Sequence, residues 1–254
     1  MSWASPDGSA EGIAAAVGTR AGLLGALADG PRTKRDLREE LGVARSTVYK
    51  GLRELTELDL ARETGEGYVL TALGELAREE RERYRERLGG LTAARDVLAD
   101  IPASAGVPAA FAESATVATS ERTAPERALD TFDAMVRDAE RVRSLSPAAI
   151  PRYMADLHED VLAGEDREIV VERPAAAALR AEYDEFDAAV AAGLDVRVLD
   201  ESLPFGLTLF DDEGAALTTY EAGGVSGILL SEAPEAVAWA ERTYADYRDR
   251  AVDA

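Results

Sequence analysis

The sequence predicts a chain of mixed α+β and α/β class. A small helical domain closed by a β-hairpin comes first, then one long helix, then an α/β domain. Three observations carry this. Between Thr33 and Thr71 two helical apolar patterns flank a Gly-containing turn, and two short β runs follow around "GEG". Beyond Pro102, strand-like and helix-like segments alternate. The charge divides along the same line: the chain has 254 residues and net charge −21, with 15 basic and 18 acidic residues up to Ile101 but 13 and 31 after it. Such asymmetry points to domains facing different partners. The expected boundaries are 1–72, 73–101 for a linking and dimerising helix, and 102–254.

In chain order, "IAAAVGTRAGLLGALADGP" reads as one helix stopped by Gly30-Pro31. "TKRDLREELG" is a second, with Thr33 as its N-cap, Leu37 and Leu41 one turn apart, and Gly42 at its end. "RSTVYKGLRELTELDL" is a third, with Val48, Leu52, Leu55 and Leu58 on one stripe. "LARET" and "YVLT" pair as a hairpin. The segment Leu73 to Ile101 is a long helix with a candidate break at Gly89-Gly90. Its Tyr84, Leu91 and Leu98 recur every seven residues, a pattern of coiled dimer contact. Beyond it, "ATVATS", "VRSLSP" and "REIVVER" are strands, each followed by a helix. "LDVRVLD", "FGLTLFD", "GAALTTYEAG" and "VSGILLS" are four strands in succession, and "PEAVAWAERTYADYRDRA" is a closing helix.

The chain has no cysteine, which excludes disulfides, thiolate catalysis and cysteine-ligated zinc. No apolar run approaches the roughly 20 residues that span a bilayer, and the N-terminus lacks the basic and apolar regions of a signal peptide. A cytoplasmic location with no membrane contact is therefore expected. Lys34 and Lys50 are the only lysines against 49 acidic residues. This acid-rich, Lys-poor, Ala-rich balance resembles that of proteins from salt-in halophiles, above all haloarchaea, in which a carboxylate surface stays hydrated in concentrated salt.

Two helices, a tight turn and a two-stranded wing make a winged helix-turn-helix. With Val48, Leu52 and Leu55 turned inward, Ser46, Tyr49, Lys50 and Arg53 share another face of the third helix. Arg suits guanine O6/N7, and hydroxyls suit phosphates or base edges. Arg45, Ser46 and Thr47 stand at a helix N-terminus, where backbone N–H groups attract phosphate. Lys34 and Arg35 are placed to grip the DNA backbone, and Arg62 begins the wing. From Pro31 to Glu63 the local balance is 8 basic against 7 acidic residues, in a chain otherwise far to the acidic side. "LGVARSTVYKGLREL" with "LDLARETGEGYVLTALG" resembles the turn, recognition helix and wing of the TrmB-like and ArsR-like archaeal transcription regulators. The resemblance implies sequence-specific binding of double-stranded DNA by a homodimer. Two positions depart from the family pattern: Ala44 replaces a capping hydroxyl, and Glu66 occupies a wing tip where a cation is usual. A winged helix that binds a protein of the transcription machinery is the alternative reading.

The run from "FGLTLFDDEG" to "YRDRA" resembles the C-terminal part of the sensor domain named for methanogenesis regulators, joined in haloarchaea to a winged helix, and more distantly the phospholipase-D-like sensor of the TrmB proteins. The resemblance implies a sensing or oligomerising domain. Phospholipase-D chemistry needs His and Lys in an HxK pairing. This domain has His158 and no lysine, so a degenerate enzyme of that kind is disfavoured and no catalytic activity is expected. His158 reads as a helix-packing residue, and Asp211-Asp212-Glu213 as a hairpin turn. No metal and no cofactor are expected. Ligands of α/β sheets bind outside the carboxyl ends of parallel strands. On that ground Ser120, Ser146, Glu172 and Arg173 are the candidate contacts of a small-molecule effector, with Arg173 suited to an anion unless a surface carboxylate takes it.

Overall fold

The computed structural model describes residues 8–113, 115–119, 127–221 and 224–254. The chain divides into two compact units, Met1–Glu86 and Arg87–Ala254, with the division inside a long helix.

The first unit begins with α1 (Ala10–Thr19) and α2 (Ala21–Ala28). The sequence pattern suggested one helix here. The chain instead turns at Arg20, whose φ of −108° and ψ of 18° leave the helical region. The guanidinium meets Glu54 of a later helix at 2.6 Å, with both side chains under a fifth exposed. A pair that well screened from water is worth more than a surface contact. Helix α3 (Lys34–Leu41) ends at Gly42 and is followed closely by α4 (Arg45–Glu57). Leu24, Leu27, Leu37, Val48, Leu52, Leu55 and Leu60 form one dry core between them. Strands β1 (Ala61–Thr64) and β2 (Gly67–Leu70) pair from Ala61↔Leu70 to Thr64↔Gly67. Arg32 adds a bridge to the hairpin: its N–H donates to the Tyr68 carbonyl at 3.0 Å, and its carbonyl accepts from the Tyr68 N–H at 2.8 Å.

Helix α3 starts with a reciprocal cap. The Asp36 N–H donates to Thr33 Oγ1 at 3.2 Å, and the Thr33 N–H donates to Asp36 Oδ2 at 2.9 Å. The Thr33 hydroxyl also donates to that carboxylate, and these bonds hold the Asp36 carboxyl below its ordinary range. A depressed carboxyl stabilises the fold above its unfolded pKa, and the contribution is lost as pH falls through the lower folded value. Asp36→Asn is therefore expected to unfold at lower urea than the wild type at pH 7. The gap should close as pH drops below about 4, read from urea midpoints at each pH.

Helix α5 (Ala72–Ala93) runs straight through Gly89-Gly90, where a break was expected. Gly90 serves close packing instead: a Cβ there would lie 2.4 Å from the Ala112 carbonyl. The break falls at Ala94, before α6 (Arg95–Ala99) and, after a 3₁₀ turn, α7 (Ala109–Glu113). The seven-residue repeat divides between solvent and core. Tyr84 is exposed, but Leu91 and Leu98 pack against the core of the second unit, because the turn at Ala94 redirects the chain inward.

The rest of the second unit is β3 (Thr116–Thr119), α8 (Arg127–Asp138), β4 (Arg141–Ser146), α9 (Pro151–Ala163), β5 (Asp166–Glu172), α10 (Arg173–Glu182), α11 (Phe186–Ala192), β6 (Asp195–Leu199), β7 (Gly206–Phe210), β8 (Gly214–Glu221), β9 (Gly224–Ser231), α12 (Pro234–Arg248) and β10 (Val252–Asp253). One helix was expected over α10 and α11. It is interrupted where Tyr183 turns extended and its hydroxyl meets His158 Nδ1 at 2.9 Å. His158 is buried in that packing contact.

Among the described residues, eight strands form one sheet in the order β10-β6-β5-β4-β7-β8-β9-β3. Only β4, β5 and β6 are parallel neighbours; β3 is an antiparallel edge strand beside β9. Leu145, Leu207, Leu217 and Leu229 face Trp239 and Tyr244 of α12 in one core layer. Two smaller clusters, around Ile169 and Phe186 and around Val142 and Phe210, cover the other face. Asp211 turns the β7–β8 hairpin with a φ of 50° and accepts the Arg141 N–H at 2.8 Å.

Candidate nucleic-acid interface

The inward stripe of α4 is fully committed to the core: Val48, Leu52 and Leu55 are buried. The opposite face is left for solvent. Ser46, Thr47, Tyr49, Lys50 and Arg53 are all exposed on it, as is Arg45 at its start. Ala44 caps α4 without a side-chain hydrogen bond, so the first amides of the helix face a position where an anion is favoured. Arg62 is exposed on β1.

Between α4 and the wing lies a groove of about 520 Å³ that touches Lys34, Tyr49, Lys50, Arg53 and Tyr68. Its organising group is Lys34. The ammonium lies 4.7 Å from the Tyr49 ring centre and 5.1 Å from that of Tyr68. A hydrogen bond to Tyr68 leads the interactions that raise its pKa, so the cation is firmly charged. The Arg45 guanidinium also lies over the Tyr49 ring, 5.0 Å from its centre, and donates to the Tyr49 hydroxyl at 3.0 Å. That bond draws the phenol below its ordinary pKa. Tyr68 was not among the residues singled out from sequence. Its signal is the alternation in "GYVL", which turns residue 68 toward the helices.

Three cations of this surface carry carboxylate partners. Arg35 pairs with Glu39 at 2.9 Å, Arg53 with Glu57 at 2.8 Å, and Lys34 with Glu63 at 3.9 Å. The two arginine pairs are exposed and the Lys34 pair is half-buried and long, so all three are weak and exchangeable. A polyanion offers phosphates in place of these carboxylates at little cost to the fold. The same pairing limits diffuse, charge-only attraction.

In the second unit three of the four effector candidates, Ser146, Glu172 and Arg173, lie among the described residues. Ser120 lies outside the described residues. Strand β3, which leads to it, is not one of the parallel strands and stands four places from β4 in the sheet. Arg173 is exposed and paired with Asp200. Glu172 accepts the Leu203 N–H at 2.7 Å. Of the three described candidates Ser146 lines a cavity, between α8, α9 and the sheet. The residues the sequence reading passed over there are Thr208, Thr218 and Tyr220. Their signal is a hydroxyl at alternate positions of otherwise apolar strands. No group of three or more His, Cys, Asp or Glu able to hold a metal occurs among the described residues. No described helix is long and apolar enough to cross a membrane.

The family model described as methanogenesis regulatory protein FilR1, middle domain, matches residues 125–250, and that described as the HVO_A0261 N-terminal domain matches residues 10–96. Among solved structures the chain is similar to TrmBL2, an archaeal chromatin protein whose structure shows a mode of DNA binding. The identity is 16%, over 97% of this chain and 100% of that one, at a TM-score of 0.45. It is also similar to Nuc, a phospholipase D family member from Salmonella typhimurium, at 15% identity over 56% of this chain and 97% of that one, TM-score 0.43. NucT from Helicobacter pylori is 11% identical over 56% of this chain and 99% of that one, TM-score 0.42. No curated protein matches.

Proposed function

We propose, for a chain that belongs by its two domains to the FilR1-type, TrmB-like transcriptional regulators, that it binds operator DNA sequence-specifically as a homodimer and answers to a signal received by its C-terminal unit. The observation that carries the reading is the solvent face of α4: Ser46, Tyr49, Lys50 and Arg53 project from a helix whose other side is sealed into a core. Set in a major groove, such a helix offers a fork for guanine, a point charge for phosphate and hydroxyls for either. Lys34, Arg35 and the amides of Arg45, Ser46 and Thr47 hold the backbone, and Arg62 follows it along the wing. Exposed Leu73, Leu76, Tyr84 and Leu88 on α5 support a dimer built on that helix. The protein works in the cytoplasm, with no cofactor, and catalyses nothing.

The acidic composition supports a haloarchaeal setting. At about 1 M salt the screening length is only ~3 Å, so the acidic C-terminal unit hardly repels DNA, and counterion release adds little affinity. Recognition then depends on short contacts. Selection of bound sequences from random duplexes in concentrated KCl tests this. Wild type should enrich a two-fold symmetric site. Arg53→Ala should lose about ten-fold or more in affinity with relaxed preference at one base pair, and Lys50→Ala should weaken all sequences about equally. Absence of any enriched sequence would point to a protein partner for the same face, a reading the Arg–Glu pairs on it also suit.

A further inference from the structure

The cations around the exposed face of α4 are not held alike. Arg53 lies against Glu57 at 2.8 Å, and on α3 Arg35 lies against Glu39 at 2.9 Å. Arg45 has no carboxylate partner among the described residues. Its Nη2 instead donates to the Tyr49 hydroxyl at 3.0 Å, one turn further along the helix. A phenol fixes a guanidinium without cancelling its charge. The ring is held from α3 as well: the Lys34 ammonium lies 4.7 Å from its centre and is itself hydrogen-bonded to the buried Tyr68. Arg45 and Tyr49 nonetheless face solvent, Tyr49 at 42% exposure. Long side chains lose rotamer freedom when they bind, and these two are ordered beforehand.

Counting donors gives the chemistry of the pair. Tyr49 Oη accepts from Arg45, and its own hydrogen meets no acceptor among the described residues. The same holds for the remaining guanidinium hydrogens. Nη2 and Oη therefore stand 3.0 Å apart, each with a hydrogen to give. Accepting one hydrogen bond polarises the phenol and strengthens the one it can donate. Such a pair fits two adjacent acceptors. In the major groove guanine alone presents them side by side, as O6 and N7. Adenine sets a donor beside its N7, cytosine offers a donor, and thymine sets a methyl beside its O4. Two oxygens of one phosphate offer the same acceptors without sequence. Position favours the base: Arg45 is the first residue of α4 and Tyr49 lies one turn in, and the N-terminal residues of a recognition helix are those that reach base edges.

We infer that Arg45 and Tyr49 act as one reading unit for a single guanine of the operator, placing an N–H and an O–H on its O6 and N7. Arg53, whose guanidinium is shared with Glu57, is then a second and more exchangeable contact. The inference rests on the reading of the chain as an operator-binding regulator.

The test starts from the duplex that the wild-type chain selects in concentrated KCl. Tyr49→Phe keeps the ring beside Lys34 and removes the hydroxyl, while Arg45→Met keeps the length and removes the guanidinium. Each should bind that duplex about ten-fold more weakly, and both should lose the preference for guanine at the same base pair. Arg45→Lys should not restore it, since an ammonium has no planar fork. Placing 7-deazaguanine there, with C–H instead of N7, should weaken the wild type by a similar factor and leave the two variants nearly unaffected, because their half of the contact is already gone. Circular dichroism should match the wild type throughout, as both side chains are exposed. Variants that weaken every sequence alike would put the pair on a phosphate and overturn the inference. So would a 7-deazaguanine penalty undiminished in the variants, or unchanged binding by either variant, which would leave a contact within the helix surface only. Failure of the wild type to select any sequence removes the operator reading and this inference together; a selected site indifferent to Arg45 and Tyr49 removes this inference alone.

Discussion

Replacing Arg167 by methionine destabilises the C-terminal unit by about 3–5 kcal/mol, the cost of breaking a buried charge cluster from one side. The side chain is fully enclosed at 0% exposure. Its Nε donates to Asp160 Oδ2 at 2.8 Å, and Nη2 also bonds the Glu165 carboxylate. The other donors close the end of α8. Nη2 reaches the Ala139 carbonyl at 3.0 Å and that of Val136 at 3.4 Å, while Nη1 reaches those of Glu140 at 3.1 Å and Asp166 at 3.2 Å. One guanidinium thus satisfies carbonyls that the helix leaves without intrahelical partners. It also ties α8, α9 and β5 together around the floor of the cavity. Lysine does not rescue, because a single ammonium has three donors and no planar fork. Urea unfolding in KCl should show Arg167→Met and Arg167→Lys both shifted far from wild type. Arg173→Met, which removes an exposed pair with Asp200, should not move. Equal midpoints for Arg167→Met and Arg173→Met would mean that the buried cluster contributes nothing.

The contrast between these two arginines shows what a sequence can reveal. "DREIVVER" marks a strand, and the strand is there, but nothing local tells Arg167 from Arg173. Their difference is made by α8 and α9, which close over one and not the other. Helix α4 was legible because its pattern is local: Val48, Leu52 and Leu55 recur at the helical period, and whatever they exclude must face outward. The pair Arg53–Glu57 follows from the same spacing. The setting of Lys34 between Tyr49 and Tyr68 does not, since it depends on where the wing folds back. Helix interruptions at Arg20 and Tyr183 escaped notice for a similar reason. Each is stabilised by a partner far along the chain, Glu54 in one case and His158 in the other. Strand direction escaped too. "ATVATS" is a strand by composition, but its place at the antiparallel edge beside β9 is decided by topology, and of the effector candidates only Ser120 was inferred from that strand; Ser146 and Glu172 end strands that are parallel.

Gly74 carries the second large effect, and here the same substitution should have opposite signs at two sites of one unit. Gly74 lies in the first turn of α5, where its N–H donates to Thr71 Oγ1 at 3.0 Å. A Cβ on it would stand 1.9 Å from the Leu60 carbonyl oxygen and 2.8 Å from its carbon. Those atoms are backbone and cannot swing aside. Leu60 is itself held from both sides: its N–H donates to the Leu55 carbonyl at 2.8 Å and its carbonyl receives the Thr71 N–H at 3.1 Å. It joins the end of α4 to β1. Gly74→Ala must therefore push α5 away from that junction, at a cost of about 2–3 kcal/mol typical of overpacking. Gly25 sits inside α2 with nothing within 4 Å of its would-be Cβ. Gly25→Ala should stabilise the unit by about 0.5–1 kcal/mol through reduced backbone freedom in the unfolded chain. Urea midpoints of the two variants should straddle the wild type. Gly74→Ala should also lose operator preference before it loses helical signal, because the strain enters where the wing is set against α4. A Gly74→Ala protein as stable as Gly25→Ala would show that α5 does not press on Leu60 in solution.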